Sequence, residues 1–72
     1  MIRLKDFLCE NYEDYIYMYK ENGEHIIDIA VKFIPLWIIR EYGDKEICVE
    51  LDNTAKAKYK IYKVIVKDAP GK

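Results

Sequence analysis

Apolar and polar residues alternate in two stretches, residues 14–21 and 24–31, on either side of the pair Asn22-Gly23. A period of two is typical of β-strands. An Asn-Gly pair between two such stretches predicts a two-residue type I′ hairpin turn, because both central residues of that turn need positive φ. The alternation and the turn therefore predict a β-hairpin.

Counting outward from this turn sets Ile16 opposite Ile29, and Lys20 opposite His25. Successive side chains point to opposite faces of a strand, so the hairpin has two unlike faces. The first face is aliphatic and suits a core: Ile16, Met18, Ile27 and Ile29. The second carries a row of tyrosines beside an acidic residue: Tyr15, Tyr17, Tyr19 and Asp28. Either helices cover this second face, or its rings form an open contact surface.

A helix of about two turns is predicted before the hairpin. Leu4, Phe7 and Leu8 follow the i, i+3, i+4 spacing of an apolar helix stripe. The helix is expected to end near Asn11, a residue that tolerates the left-handed conformation. Its stripe is expected to pack on the sheet.

A second short helix is predicted after the hairpin. Pro35 suits the first helical position and Gly43 suits the residue after a helix end. The pair Ile38-Ile39 also permits a strand. The segment is apolar around most of its circumference, so one face cannot bury it all against a single sheet. Its apolar residues, Trp37, Ile38 and Tyr42 among them, therefore either join the core or contact a partner protein or a second copy.

Two further strands are predicted, over residues 45–51 and 56–67, with turn residues between them. The lysines of the last stretch indicate an edge strand or a bulge. The whole pattern predicts an α+β fold: an antiparallel sheet of about four strands from two hairpins, with an N-terminal helix and a short helix between the hairpins. We expect residues 1–67 to form one domain and residues 68–72 to form a flexible tail.

Composition narrows the function classes. The chain has 72 residues, 51% of them hydrophobic and 35% charged, which is typical of a small folded domain too small for a large internal cavity. Cys9 and Cys48 belong to no metal-binding or disulfide spacing, so a reducing cytoplasm is the expected location. The longest apolar run, residues 33–39, is too short to span a bilayer.

No catalytic residue, cofactor or metal is predicted. The chain has no serine, and His25, its only histidine, is expected on the surface beside the hairpin turn. Its three glycines are isolated, so there is no phosphate-binding loop. The expected activity is non-catalytic binding to a protein target, with the tyrosine row or the second helix as anchor and Glu13, Asp14 and Asp28 adding charge complementarity.

The alternative is binding of single-stranded nucleic acid through the C-terminal stretch. Residues 1–51 carry 11 acidic and 6 basic residues, whereas residues 52–72 carry 2 and 6. Lysines alternate there with aromatic rings, a composition that can contact phosphates and stack bases. The residues concerned are Lys56, Lys58, Lys60, Tyr62 and Lys63.

Taken in order, the segment Leu4-Lys5-Asp6-Phe7-Leu8, the Tyr/Ile-rich strand, the Asn-Gly turn, the Ile-Pro segment and the final Tyr/Lys-rich strand resemble small phage and mobile-element proteins of low-GC Gram-positive bacteria. The resemblance spans most of the chain. Such proteins include inhibitors of host defence, among them anti-CRISPR proteins, which occupy a surface of their target. It implies a stoichiometric binder in the host cytoplasm and assigns no functional residue.

Overall fold

A computed structural model describes residues 2–52 and 60–67 as one mixed β-sheet with two helices packed on one of its faces. The α+β class is confirmed. Residues 53–59, which include the predicted turn and the start of the last predicted strand, and the predicted tail, residues 68–72, lie outside the described residues. The elements in chain order are β1 (Ile2–Arg3), α1 (Leu4–Glu10), β2 (Tyr15–Lys20), β3 (His25–Ala30), a 3-10 turn (Val31–Phe33), α2 (Leu36–Tyr42), β4 (Glu46–Leu51) and β5 (Ile61–Val66).

The sheet has five strands in the order β1-β4-β5-β2-β3, rather than four. The additional strand, β1, has only two residues, too few to show an alternating pattern. β4 and β5 pair antiparallel as predicted, but β5 also pairs parallel with β2. The last strand is therefore the central strand, so the prediction that its lysines mark a sheet edge is wrong.

The hairpin turn differs from the predicted type I′ turn. Among the described residues, positive φ occurs only at Gly23 (93°), whereas type I′ also needs it at Asn22. The N–H of Gly23 donates to the carbonyl of Lys20 at 2.9 Å, and the N–H of Glu24 donates to the Asn22 side-chain oxygen at 2.9 Å. The loop thus has three residues, of which only the last needs the conformational freedom of glycine.

The third loop residue changes the register only close to the turn. Met18 pairs with Ile27, and all the pairs farther from the turn have the predicted register. A bulge between Met18 and Tyr19 then sets His25 opposite Tyr19, not opposite Lys20. The two faces of the hairpin keep the predicted side chains, because the bulge lies at the end of the ladder.

The helices and the sheet share one core. The Leu4/Phe7/Leu8 stripe of α1 is buried as predicted, and the ring of Phe7 packs edge-on against the ring of Tyr62, with centroids 5.1 Å apart. The central strands contribute residues with no exposed surface. The buried core residues are Leu4, Phe7, Leu8, Ile16, Met18, Val31, Ile38, Ile47, Val64 and Val66.

The start of α1 has no side-chain cap, and backbone carbonyls take that role. The N–H groups of Leu4 and Lys5 donate to the carbonyls of Lys45 and Gly43, each at 3.0 Å. The first N–H groups of a helix have no partner within the helix, so these bonds satisfy two of them. They also fix α1 to the connection between α2 and β4.

The helix ends depart in detail from the predicted geometry. Asn11 has φ of −122°, not a left-handed conformation, and its side-chain amide donates to the Phe7 carbonyl at 2.9 Å. Pro35 is extended and immediately precedes α2, and the strand alternative for this segment is wrong. Gly43 follows α2 as predicted but with φ of −57°. A Cβ atom there would clash with the carbonyl oxygen of Ile39, so the glycine serves close approach.

Candidate protein-binding surfaces

The three tyrosines of β2 lie on the sheet face opposite the core. Ile16 and Met18 have no exposed surface and belong to the core, which also holds the buried residues of both helices. Tyr15, Tyr17 and Tyr19 alternate with them, are half-buried, and are not core residues. No described helix covers the tyrosines, so the structure favours the open-surface alternative over a second core layer.

Neighbouring strands extend this surface. β5 sets Ile61, Lys63 and Ile65 beside Tyr15, Tyr17 and Tyr19 respectively, and β3 sets Asp28 beside Tyr17. Paired residues of adjacent strands share a face, so all these side chains lie on the same side of the sheet. We call this set the tyrosine face: Tyr15, Tyr17, Tyr19, Asp28, Ile61, Lys63 and Ile65.

Side-chain contacts hold the rings of the tyrosine face in place. The Tyr15 and Tyr17 rings meet edge to face with centroids 6.3 Å apart. The Tyr19 ring contacts the His25 ring at 5.2 Å, and Lys63 Nζ lies 5.6 Å from the Tyr19 centroid. Rings with few accessible rotamers lose less entropy when a partner binds, so the surface is preorganised for contact.

The sheet order mixes the charges that the sequence segregates. β5 lies between β2, which contains no acidic residue, and β4, which contains Glu46 and Glu50. Lys63 is flanked by Glu50 in β4, and Asp28 lies one strand further, across Tyr17. Among the described residues, Lys63 with these two carboxylates gives no concentrated positive potential, which phosphate binding requires.

The described members of the predicted lysine and tyrosine strip do not form one surface. Tyr62 faces the core against Phe7, whereas Lys63 belongs to the tyrosine face. Lys60 is exposed just before β5, where its N–H donates to a carboxylate oxygen of Asp14 at 3.2 Å. Lys56 and Lys58 lie outside the described residues. Alternation along β5 therefore separates the described members of the strip.

On the second predicted surface, on α2, only some of the predicted contact residues are exposed. Trp37 is 55% exposed, whereas Ile38 has no exposed surface and is a core residue, which corrects its prediction as a contact residue. Tyr42 is half-buried and packs against the core. Ile34, Ile38 and Tyr42 follow i, i+4 spacing, and this signal in the sequence assigns the inner side of α2.

Two neighbours of Trp37 belong to the predicted apolar segment but were not singled out as contact residues. Phe33 is 70% exposed and Leu36 is 60% exposed. Phe33 ends the 3-10 turn and Leu36 begins α2, so both lie close to Trp37 in the chain. We call the exposed set the α2 patch: Phe33, Leu36, Trp37 and Ile39.

The predicted acidic residues have different roles. Glu13 is exposed and lies 3.7 Å from Lys32, an ion pair of little energetic weight. Asp14 is half-buried: its carbonyl accepts the Val31 N–H at 2.9 Å while its carboxylate accepts the Lys60 N–H. Asp14 therefore joins the start of β2 to its two neighbouring strands, which is a structural role.

The described residues offer little other site chemistry. Within residues 2–52 and 60–67, no group of three or more His, Cys, Asp or Glu is placed to hold a metal ion. Cys9 and Cys48 are exposed free thiols. The pKa of Asp44 is lowered, mainly by a hydrogen bond from Lys5. None of the described helices is long and apolar enough to cross a membrane.

No protein-family model, curated protein or solved structure matches this chain.

Proposed function

We propose that this protein is a small non-catalytic module that binds a protein target through the tyrosine face and blocks the surface it occupies. The observation that carries the proposal is the row of three half-buried tyrosines on a sheet face that no described helix covers. Its resemblance to small phage and mobile-element proteins points to a host defence protein, as for an anti-CRISPR inhibitor, as the target class.

Tyrosine suits such a surface chemically. Its ring buries apolar area while its hydroxyl exchanges hydrogen bonds with a partner, and aromatic residues are enriched at the centres of protein interfaces. The half-buried Ile61 and Ile65 add apolar surface beside the rings. Tyr17 has a tyrosine, a lysine and an aspartate as neighbours, so it is the central anchor of the proposed contact.

Charge at the margin of the face supports recognition rather than affinity. Glu50 lies beside Lys63 and Asp28 lies two strands away, across Tyr17, so a partner with a complementary pattern is oriented as it approaches. The proposed mechanism has no chemical step. Inhibition follows from occupancy of the target, and one copy blocks one site.

The same row of rings resembles a platform for single-stranded nucleic acid, and Lys63 beside Tyr19 adds a cation. The carboxylate of Glu50 beside Lys63, and that of Asp28 across Tyr17, oppose phosphate binding, so the geometry favours a protein. The following experiment distinguishes nucleic-acid binding from protein binding.

The test is affinity capture from nuclease-treated lysate of a bacterium that carries the gene, with wild type, Tyr17→Ala and Tyr12→Ala. Tyr12 is 55% exposed and lies outside the tyrosine face, so Tyr12→Ala is the matched control. We expect one stoichiometric protein partner that Tyr12→Ala retains. Its affinity for Tyr17→Ala falls at least about tenfold, as for a central interface anchor.

Folding of each variant is checked by circular dichroism. Retention of the partner by folded Tyr17→Ala and by a folded Tyr15/Tyr17/Tyr19→Ala triple variant would rule out the tyrosine face. Binding that disappears with nuclease, weakens steeply with salt, and loses part of that salt dependence in Lys63→Ala would instead assign the face to nucleic acid.

A further inference from the structure

The outer side of β4 is only partly covered. β1 pairs there with Glu46 and Ile47, whereas β4 continues to Leu51. In the described part of the chain, no other strand pairs with this side of β4. A strand without a neighbour presents backbone N–H and C=O groups that can pair with a further strand. Lysine and proline restrict such pairing, and β4 contains neither.

Backbone hydrogen bonds identify which groups of β4 point outward. The Lys67 N–H donates to the Glu46 carbonyl at 2.9 Å, so Glu46 bonds toward β5. The carbonyl of Lys45, one residue earlier, accepts a hydrogen bond at 3.0 Å from the first residue of α1, on the other side. These directions alternate along an antiparallel strand. The N–H and C=O groups of Val49 and Leu51 therefore point away from β5, beyond the end of β1.

The side chains along this uncovered part of β4 combine a carboxylate with apolar groups. Glu50 is exposed, and none of the ion pairs between described residues includes it. Lys63, its neighbour in β5, lies instead over the Tyr19 ring, 5.6 Å from its centroid. On the helix side, Val49 is half-buried and Leu51 is 56% exposed. An added strand would cover apolar surface and place a side chain opposite the Glu50 carboxylate.

A second copy of this chain does not suit this edge. Antiparallel pairing about a twofold axis that sets Val49 opposite Leu51 also sets Glu50 opposite Glu50 of the second copy. A shift by one residue in each copy, which pairs Leu51 with itself, sets Glu50 opposite Asp52. Like charges directly opposite each other are destabilising. A shift in the other direction places the second copy where β1 already pairs with Ile47.

We propose that the open part of β4 binds an extended peptide segment of another protein, with a cationic side chain opposite Glu50 and apolar side chains opposite Val49 and Leu51. The peptide runs antiparallel to β4, in line with β1, and forms about four backbone hydrogen bonds. Its backbone supplies affinity, and its alternating side chains supply specificity.

This peptide site borders the tyrosine face. Glu50 lies beside Lys63 at the margin of that face, whereas Leu51 and the outward backbone groups of β4 lie outside it. The proposal therefore goes beyond the proposed function. It does not depend on that function, because a free peptide tests it without the target of the tyrosine face.

The probe is the acetylated and amidated peptide Lys-Val-Lys-Val, titrated into isotope-labelled protein and followed by NMR. We expect the amide signals of Val49 and Leu51 to shift, while those of β3, at the far edge of the sheet, stay unchanged. Glu50→Gln should bind the peptide about twofold to fivefold more weakly, the range for an exposed ion pair. Glu46→Gln is the matched control and should keep wild-type affinity, since Glu46 lies opposite Arg3 of β1.

N-methylation of the peptide tests the backbone pairing without altering the protein. Methyl groups on the two valine nitrogens remove the donors that face β4, so affinity should fall about tenfold or more. Methyl groups on the two lysine nitrogens, which face away from β4, are the matched control and should leave the affinity nearly unchanged.

Three results would overturn the proposal. The first is the absence of any shift at Val49 and Leu51 with millimolar peptide, or amides that are already protected from hydrogen exchange in the free monomer. The second is equal binding of the two methylated peptides. The third is a peptide that shifts Tyr17 and not Leu51 and that Tyr17→Ala no longer binds, which would assign the peptide to the tyrosine face.

Discussion

The side chains on the two faces of β2 differ in burial, although they belong to one strand. Ile16 and Met18 have no exposed surface, whereas the tyrosines that alternate with them stay half-buried. α1 and α2 have seven residues each, a length of about 10 Å per helix, so the described helices cover one face of a five-stranded sheet. The comparison teaches that in so short a chain the described helices cover one face, which supplies the core, and leave the other face uncovered.

The largest predicted effect is a difference in the free energy of unfolding between substitutions on the two faces. Met18→Ala removes a fully buried side chain and leaves a cavity, so we expect a loss of about 2–5 kcal/mol in the free energy of unfolding. Tyr17→Ala removes a half-buried ring whose edge contacts Tyr15, and should cost about 1 kcal/mol. Urea denaturation of both variants measures the difference.

Equal losses for the two variants would contradict the division into a core face and a contact face. The slope of the denaturation curve supplies a check, because it scales with the surface exposed on unfolding. An unchanged slope in both variants shows that the native and unfolded states remain comparable.

Local patterns in the sequence predicted the parts of the fold that depend on neighbouring residues. Alternation about Asn22-Gly23 gave the correct faces of the hairpin, and the Leu4/Phe7/Leu8 spacing gave the buried side of α1. The parallel pairing of β2 with β5 joins residues far apart in sequence and leaves no local pattern. The central position of β5, and with it the mixing of charges around Lys63, was therefore missed.

The candidate surfaces show the same limit. The composition of α2 predicted that some apolar residues stay exposed, and Trp37 does. Which residue of the pair Trp37-Ile38 is buried depends on the rotation of the helix about its axis against the sheet. The i, i+4 spacing of Ile34, Ile38 and Tyr42 contains that information, because these three pack inward together.

The hairpin turn fixes the register that keeps the tyrosines outward, since a slip of one residue exchanges the two faces. Gly23 has φ of 93°, a conformation that costs other residues about 1–2 kcal/mol. We expect Gly23→Ala to lower the free energy of unfolding by about that amount. Asn22→Asp keeps the acceptor for the Glu24 N–H and should change stability much less. Chemical denaturation of both variants provides the measurement, and an unaffected Gly23→Ala would mean that the turn relaxes without strain.

The smallest effect is expected at the ion pair that helps fix α1 over the covered face. Lys5 Nζ lies 2.8 Å from a carboxylate oxygen of Asp44, and this hydrogen bond is the main cause of the lowered pKa of Asp44. Both side chains are largely exposed, so solvent screens the pair. A lowered folded-state pKa stabilises the fold above the unfolded-state value, and that stabilisation is lost as the pH falls through the folded-state value.

Asp44→Asn should therefore be slightly less stable than wild type at neutral pH, and the difference should vanish in acid. Glu41→Gln, which removes another exposed carboxylate, is the matched control. Carboxyl titration by NMR gives the pKa of Asp44, which Lys5→Met should raise toward its ordinary value. The backbone bonds from Leu4 and Lys5 remain in every variant, so α1 should stay in place. A large loss of stability in Asp44→Asn would show instead that the side-chain pair, and not these backbone bonds, holds the helix over the sheet.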